Sequence, residues 1–484
     1  MVRFGILGAG NIAHRFAASL AHEGRARLVA AACRSAEKAQ AFLAEVPHDE
    51  GARAYGSYDE LLADPSVDAI YLALPHAYHH EWAIRALRAG KAVLCEKPAM
   101  LTAAEMAEVA DAARETGVLF MEAMKPRFVP LYAQVMAALD EIGSIVRVEA
   151  TLCNDMLGFV EGSGTYHMTP GPGAGVLLDC GTYCASWIED LCPGIPTLTS
   201  VAGAQKEGID TYADAWLDHG GIEARLECAF DRAKPRTATI VGEHGHVVVE
   251  ELHRPQRATV YLDGCDPRVL DVPYEVDDFF GEVSHFVSLV EEGAGESPIM
   301  PLKDSVHCAL ILDTVRAAFS VTPEALEVLE EQERVLRYDG SFGADEAFEL
   351  GAAVRGLAGD YDLGYVVRIV READGYDLFR WGADGKRPAN YDYADGKRRA
   401  ALRLGHSSLW GWTEAALAGE ATPEVLFAEG DMPVAGAFPI RVGDDWVATL
   451  CVSGLHEGLD HELLVRGLSK VLGKQVPAYP CVTV

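Results

Sequence analysis

Three short stretches, widely separated in the chain, have residue types and spacings that chemistry uses. The first is Gly8-Ala9-Gly10-Asn11-Ile12-Ala13, which follows the apolar run Val2 to Leu7 and opens a helix-like run from Asn11 to His22. In a strand–turn–helix setting Gly8 permits the tight turn and Gly10 lets the backbone approach a pyrophosphate. Ala13 allows close helix packing, and the N–H groups at Asn11 and Ile12 face the anion. The second is Glu96-Lys97-Pro98, directly after the apolar strand Ala92 to Cys95. In an open parallel sheet, ligands bind outside the carboxyl ends of the strands, so Lys97 and Glu96 project over the same edge as the glycines. Pro75-His76, with His79 one turn on, ends the preceding strand at that edge. These residues are candidates for cofactor contact, or else plain polar residues at a helix start.

The third stretch is Asp179-x-Gly181-x-Tyr183, preceded by Gly173-Ala174-Gly175. If Gly181 opens a helix, Asp179 and Tyr183 share a face. A phenol titrates near pH ~10 and is a poor base at neutral pH. A nearby ammonium stabilises the phenolate. Lys97 is the available donor, provided that two domains close over one cleft. Taken by itself, Tyr183 reads as a core tyrosine at a helix start.

Cofactor preference follows from the second strand, which ends Ala32-Cys33-Arg34-Ser35, with Lys38 one turn later. An acidic residue here would bind the ribose 2′-hydroxyl of NAD. Arg34, Ser35 and Lys38 instead suit a 2′-phosphate, which predicts NADP over NAD.

The elements around these residues define an α/β Rossmann domain, an α+β domain on an open antiparallel sheet, and a smaller α/β C-terminal domain. In residues 1–122 continuous apolar strands (2–7, 28–33, 69–74, 92–95, 118–122) alternate with helices, as in a parallel sheet covered on both faces. Residues 123–325 switch to apolar–polar alternation at 145–153, 211–217, 222–230, 236–242, 246–251 and 257–262. That pattern predicts an antiparallel sheet with one solvated face. Helices are expected at 182–191, 278–291 and 303–319. Residues 326–484 form the third module. Its expected helices are 344–358, 397–418 and 459–472, and its expected strands 364–371, 376–381, 434–442 and 446–452.

The formal net charge of −32 disfavours nucleic acid and anionic membranes as partners. Eleven cysteines are scattered without any Cys-x-x-Cys, so no metal site is expected. No basic leader precedes the first strand and no apolar run spans a bilayer, which reads as a cytoplasmic chain with free thiols.

Taken together, the three stretches resemble the family of glucose–fructose oxidoreductase and inositol dehydrogenase (Gfo/Idh/MocA), in particular its dihydrodiol dehydrogenase and NADP-linked xylose dehydrogenase branch. The likeness covers about residues 1–322. It also rests on Ala89-Gly90-Lys91 and on Met121-Glu122-Ala123 with Arg127-Phe128. It implies an NADP-dependent oxidoreductase that moves a hydride between the nicotinamide and a carbinol of a sugar, polyol or trans-dihydrodiol. In this scheme Tyr183 takes the hydroxyl proton, Lys97 polarises the hydroxyl, Asp179 orients the substrate, and Arg127 adds a substrate contact. It further implies a homo-oligomer built on the open sheet. Lys125 departs from the bulky aromatic expected in this branch, and Ala174 from a usual triple glycine. Over about 331–475 the chain resembles a family related to haem-degrading proteins, through Asp395-Gly396-Lys397-Arg398, Gly436-Ala437-Phe438-Pro439 and Asp460-His461-Glu462. His406 and His461 are then haem or metal ligands, or else capping and core histidines. The competing functional class is a non-catalytic dinucleotide-binding sensor or scaffold protein.

Overall fold

The computed structural model describes residues 1–162, 166–169, 171–194, 196–321, 323–357, 364–418, 431–432, 434–455 and 458–479. It forms two compact units, Met1–Val315 and Arg316–Val484.

The first unit begins with a six-stranded parallel sheet of order β3-β2-β1-β4-β5-β6. Its strands are β1 Val2–Leu7, β2 Ala26–Ala32, β3 Arg53–Tyr55, β4 Ala69–Leu72, β5 Ala92–Glu96 and β6 Phe120–Ala123. Helices α1 Asn11–Leu20, α2 Ala36–Glu45, α3 Tyr58–Leu62, α4 His79–Arg88 and α5 Ala103–Thr116 connect them. The order reverses between β1 and β4, so the switch-point crevice opens at the ends of these two strands. Local chemistry sets the boundaries. Ser35 caps α2 by accepting from Lys38 N, Thr102 caps α5, and Gly117 ends α5 in the left-handed region at φ +67°.

Helix α6 Pro130–Ile142 leads into an eight-stranded sheet of order β14-β13-β12-β11-β7-β10-β9-β8. Its strands are β7 Ile145–Cys153, β8 Thr197–Lys206, β9 Ile209–Asp218, β10 Glu223–Ala229, β11 Thr237–Gly242, β12 Gly245–Glu250, β13 Arg257–Leu262 and β14 Arg268–Asp271. Helix α7 Leu157–Gly162 and helix α8 Thr182–Leu191 follow β7, and α9 Phe280–Glu292 and α10 Leu302–Ser320 close the region. The expected antiparallel pairing holds at every neighbouring pair except β7 with β10, which run parallel. Two strands lacked the expected pattern. β8 has small, mostly exposed residues, and β14 is a short exposed edge.

In the second unit α11 Pro323–Val335 and α12 Ala344–Arg355 precede a four-stranded antiparallel sheet of order β16-β15-β18-β17. Its strands are β15 Val366–Arg371, β16 Asp377–Gly382, β17 Ala437–Val442 and β18 Asp445–Ser453, and α15 Leu459–Leu472 packs on it. The helix expected over 397–418 is two helices, α13 Pro388–Leu404 and α14 Ser408–Leu417. Gly405, at φ +78°, ends the first. The expected helix end at 358 lies outside the described residues.

Candidate active site

The glycine turn has the geometry its residues require. Gly8 sits at φ +96°, and a Cβ there would lie 2.5 Å from the Ala73 carbonyl oxygen. The space beside Gly10 is open, so an added methyl group would intrude only into the cradle itself. The first turn of α1 carries no acidic side chain to repel a phosphate. At the end of β2, Arg34 and Lys38 are exposed. These groups fit a dinucleotide.

Lys97 emerges from the end of β5 and Asp179 from a π-helical turn, Leu177–Gly181, just before α8. The turn is fixed on its upstream side by Gly175. Its φ is +101°, and a Cβ would collide with Asp210, whose carboxylate accepts from Leu177 N at 2.7 Å. The widened turn exposes both acceptors of Asp179. Lys97 Nζ donates to the carbonyl oxygen and to Oδ1, each at 2.8 Å. The same ammonium lies 4.7 Å from the centroid of the Tyr183 ring. The residues predicted to meet across two domains therefore share one cluster.

The electrostatics follow from burial set against this pair. Burial alone would raise the Asp179 carboxyl, but the Lys97 ammonium overrides it and holds the group well below the usual carboxylate range. Burial would likewise lower the Lys97 ammonium, and Asp179 reverses that too. Burial pushes the Tyr183 phenol above its ordinary value, and the pull of Lys97 reduces the rise without cancelling it. The expectation that Lys97 brings the phenol below its ordinary value is thus corrected: burial keeps it above.

Several expected ligand contacts are engaged elsewhere. Arg127 is buried. Nε donates to Ser186 Oγ (3.0 Å), Nη1 to Asp304 (2.6 Å) and the Ile299 carbonyl (3.4 Å), and Nη2 to the Ser186 carbonyl (2.9 Å) and Glu189 (2.7 Å). All five N–H groups are occupied, so Arg127 is a structural cation and not a substrate contact. It also ion-pairs with Glu189, Asp190 and Asp304, three acids whose spacing could hold a metal ion. His79 lies with Nε2 2.8 Å from the Leu74 carbonyl and Nδ1 3.1 Å from that of Pro98, tying two loops together rather than reaching a cofactor. Glu96 takes the Tyr71 hydroxyl and Lys97 N, supporting the lysine from below. His76 faces the Gly173 carbonyl at 3.3 Å and the Tyr166 hydroxyl at 3.0 Å.

Four residues near the cluster were not singled out as ligand contacts. Lys125 forms a buried ion pair with Asp278 at 2.5 Å. His167, His253 and Glu282 have buried polar atoms without a hydrogen-bond partner among the described residues. They lie in loops or at a helix start, where no sequence motif marks them.

In the second unit His406 sets Nδ1 3.1 Å from Glu333 Oε2 and stacks on Trp410. His461 is completely buried with Nε2 against Gln332 Oε1 at 2.8 Å. Each histidine thus has one ring nitrogen engaged within this unit, while His461 Nδ1 is buried and has no partner among the described residues. Lys397 and Asp460, from the same motifs, form a buried pair at 2.6 Å.

Three stretches of the chain match known protein families. Residues 2–124 match the oxidoreductase family with an NAD-binding Rossmann fold, residues 131–248 match the GFO/IDH/MocA C-terminal domain, and residues 342–469 match the haem-degrading protein HbpS-like family. A relative in Bacillus subtilis, scyllo-inositol 2-dehydrogenase (NADP(+)), is 32% identical over 326 residues, covering 66% of this chain and 98% of that protein. The trans-1,2-dihydrobenzene-1,2-diol dehydrogenase of Mus musculus is 32% identical over 338 residues with the same coverage. A 3-ketoreductase from Actinomadura kijaniata, solved with NADP and TDP-benzene, superposes at a TM-score of 0.58 and 26% identity, covering 65% of this chain and 97% of that one.

Proposed function

The chain belongs to the Gfo/Idh/MocA oxidoreductase family, and on that premise we propose how its own residues carry the reaction. The protein is an NADP-dependent oxidoreductase acting on a polyol, diol or sugar carbinol. When bound, the nicotinamide accepts or donates the hydride. Gly8, Gly10 and the N–H groups of Asn11 and Ile12 hold the pyrophosphate, and Arg34 and Lys38 hold the 2′-phosphate.

Lys97, Asp179 and Tyr183 are the catalytic residues. The observation that carries this reading is the Lys97 ammonium, 2.8 Å from Asp179 and 4.7 Å from the Tyr183 ring, at the end of β5. In the direction of carbonyl reduction, the protonated phenol donates its proton to the carbonyl oxygen as the carbon receives hydride. In oxidation, the substrate hydroxyl enters beside Lys97 and loosens its hold on Asp179. The ammonium then stabilises the Tyr183 phenolate. The phenolate takes the O–H proton as the C–H bond gives up its electron pair with the hydrogen. A sensor or scaffold has no use for such an ammonium–phenol pair. A screen of NADP reduction over aldoses, polyols, glycosides and trans-dihydrodiols tests the reading. Binding of NADP without reduction by any of them would overturn it.

No helix among the described residues is long and apolar enough to cross a membrane. The chain is a cytoplasmic homo-oligomer in this reading, with residues 326–484 acting mainly in assembly.

A further inference from the structure

The turn between β12 and β13 is held in an unfavourable shape by more contacts than a connection needs. Glu251 adopts φ +52°, in the left-handed region that non-glycine residues rarely enter. Arg236 grips its carboxylate with Nε at 3.0 Å and Nη2 at 2.7 Å, and reaches Asn154 Oδ1 at 3.3 Å with Nη1. The buried Trp187 indole donates to the Leu252 carbonyl at 2.9 Å, and the Tyr274 hydroxyl to that of Arg254. Backbone strain that is locked in this way concentrates at ligand sites.

This turn presents His253. Its ring centroid lies 5.8 Å from that of Tyr183, edge to face. Its Nδ1 is buried and has no partner among the described residues. A phenylalanine would make the same ring contact without stranding a nitrogen. His167, whose ring packs 6.1 Å from that of His76 and 4.2 Å from that of Tyr166, lies within electrostatic reach of Asp179 and Lys97, and its Nδ1 is stranded in the same way. Burial, reinforced by Lys125 and other cations, lowers His253 to about 3, so the ring is neutral and offers one N–H and one lone pair.

Building on the assignment of Lys97 and Tyr183, we propose that His253 and His167 determine specificity by each binding a hydroxyl that flanks the reacting carbinol. The substrate is accordingly a polyhydroxylated ring, a cyclitol or a pyranose that reacts at C2 or C3, where both neighbouring carbons carry hydroxyls. An arene trans-dihydrodiol carries a hydroxyl on one flank only and leaves one imidazole unpaired.

The test compares scyllo-inositol, myo-inositol and aldopyranoses with trans-1,2-dihydrobenzene-1,2-diol, using wild-type protein, His253→Phe, His253→Gln and His167→Phe. Wild type should favour the best polyol by about 100-fold or more in kcat/KM, since a site built for hydroxyls rejects analogues that lack them. Each phenylalanine variant should raise KM for that polyol by about 10- to 100-fold, with kcat changed far less. His253→Gln should restore part of the loss. NADPH affinity, read by fluorescence, should stay at the wild-type value. Equal or better turnover of the dihydrodiol overturns the inference while leaving the roles of Lys97 and Tyr183 intact, as does an unchanged KM with only a lowered Tm. NADPH binding without turnover of any substrate class removes both.

Discussion

Lys97 can act on Tyr183 only as far as Asp179 releases it. The ammonium makes both of its short contacts to Asp179, and the phenol stays above its ordinary value because burial outweighs the pull of the lysine. Oxidation needs the phenolate, so its rate should rise with pH across the neutral range without levelling off. Carbonyl reduction uses the protonated form and should be flat there. Asp179→Asn removes a negative neighbour of the phenolate and frees the ammonium. The oxidation limb should then move down by about one pH unit or more, which a pH profile of kcat would reveal. Lys97→Met should cut kcat by about 1,000-fold while leaving NADPH binding, followed by fluorescence, near wild type. At the cofactor end, Arg34→Asp should reverse the preference for NADP by about 10- to 100-fold in the ratio of kcat/KM values for NADP and NAD. The Lys97–Asp179–Tyr183 cluster was legible because a strand end and a glycine-started helix fix where those side chains emerge. Arg127 and His79 have partners inside the protein that their sequence context does not announce. Sequence shows that a polar group exists, not whether its donors and acceptors are already satisfied inside the protein. His253 gave no signal at all, since what singles it out is a left-handed backbone at Glu251.

At the level of elements, one buried contact joins the end of β6 to the segments on either side. Lys125, just past β6, and Arg15, on α1, converge on Asp278, just before α9, and Ser19 of α1 donates to the neighbouring Asp277 at 2.9 Å. The Lys125 and Asp278 side chains are 8% and 5% exposed. Removing one partner of such a pair leaves an uncompensated buried charge. Asp278→Ala should therefore lower unfolding free energy by about 3–5 kcal/mol, measured by denaturant titration. Replacing both Lys125 and Asp278 by leucine should recover most of the loss, because a well-packed apolar pair is often neutral relative to a buried ion pair. Strands and helices with a strong apolar period were readable nearly to the residue. β7 falls at Ile145–Cys153, α8 at Thr182–Leu191 and α15 at Leu459–Leu472, as their sequences predict. β8 and β14 escaped because an exposed strand carries little apolar alternation. The parallel pairing of β7 and β10 is a long-range choice that neither strand's own pattern records.

At the level of the whole molecule, the oxidoreductase relatives are matched over 98% of their own length while covering 66% of this chain. Both oxidoreductase family matches, 2–124 and 131–248, fall within the first compact unit. The second unit closes a core of its own, with Tyr365, Val367, Ile369, Phe438, Ile440, Leu450, Leu463 and Leu464 all fully buried around its four-stranded sheet. A core of its own makes the second unit separable from the first, as its proposed assembly role requires. A chain of residues 1–322 should keep kcat/KM within about threefold of the full protein, which corresponds to less than about 1 kcal/mol in transition-state binding. Its assembly should be smaller by light scattering if the second unit has the proposed assembly role. An unchanged subunit number in the truncated chain would exclude that role, and lost turnover with a folded circular-dichroism spectrum would show that the second unit contributes to the site.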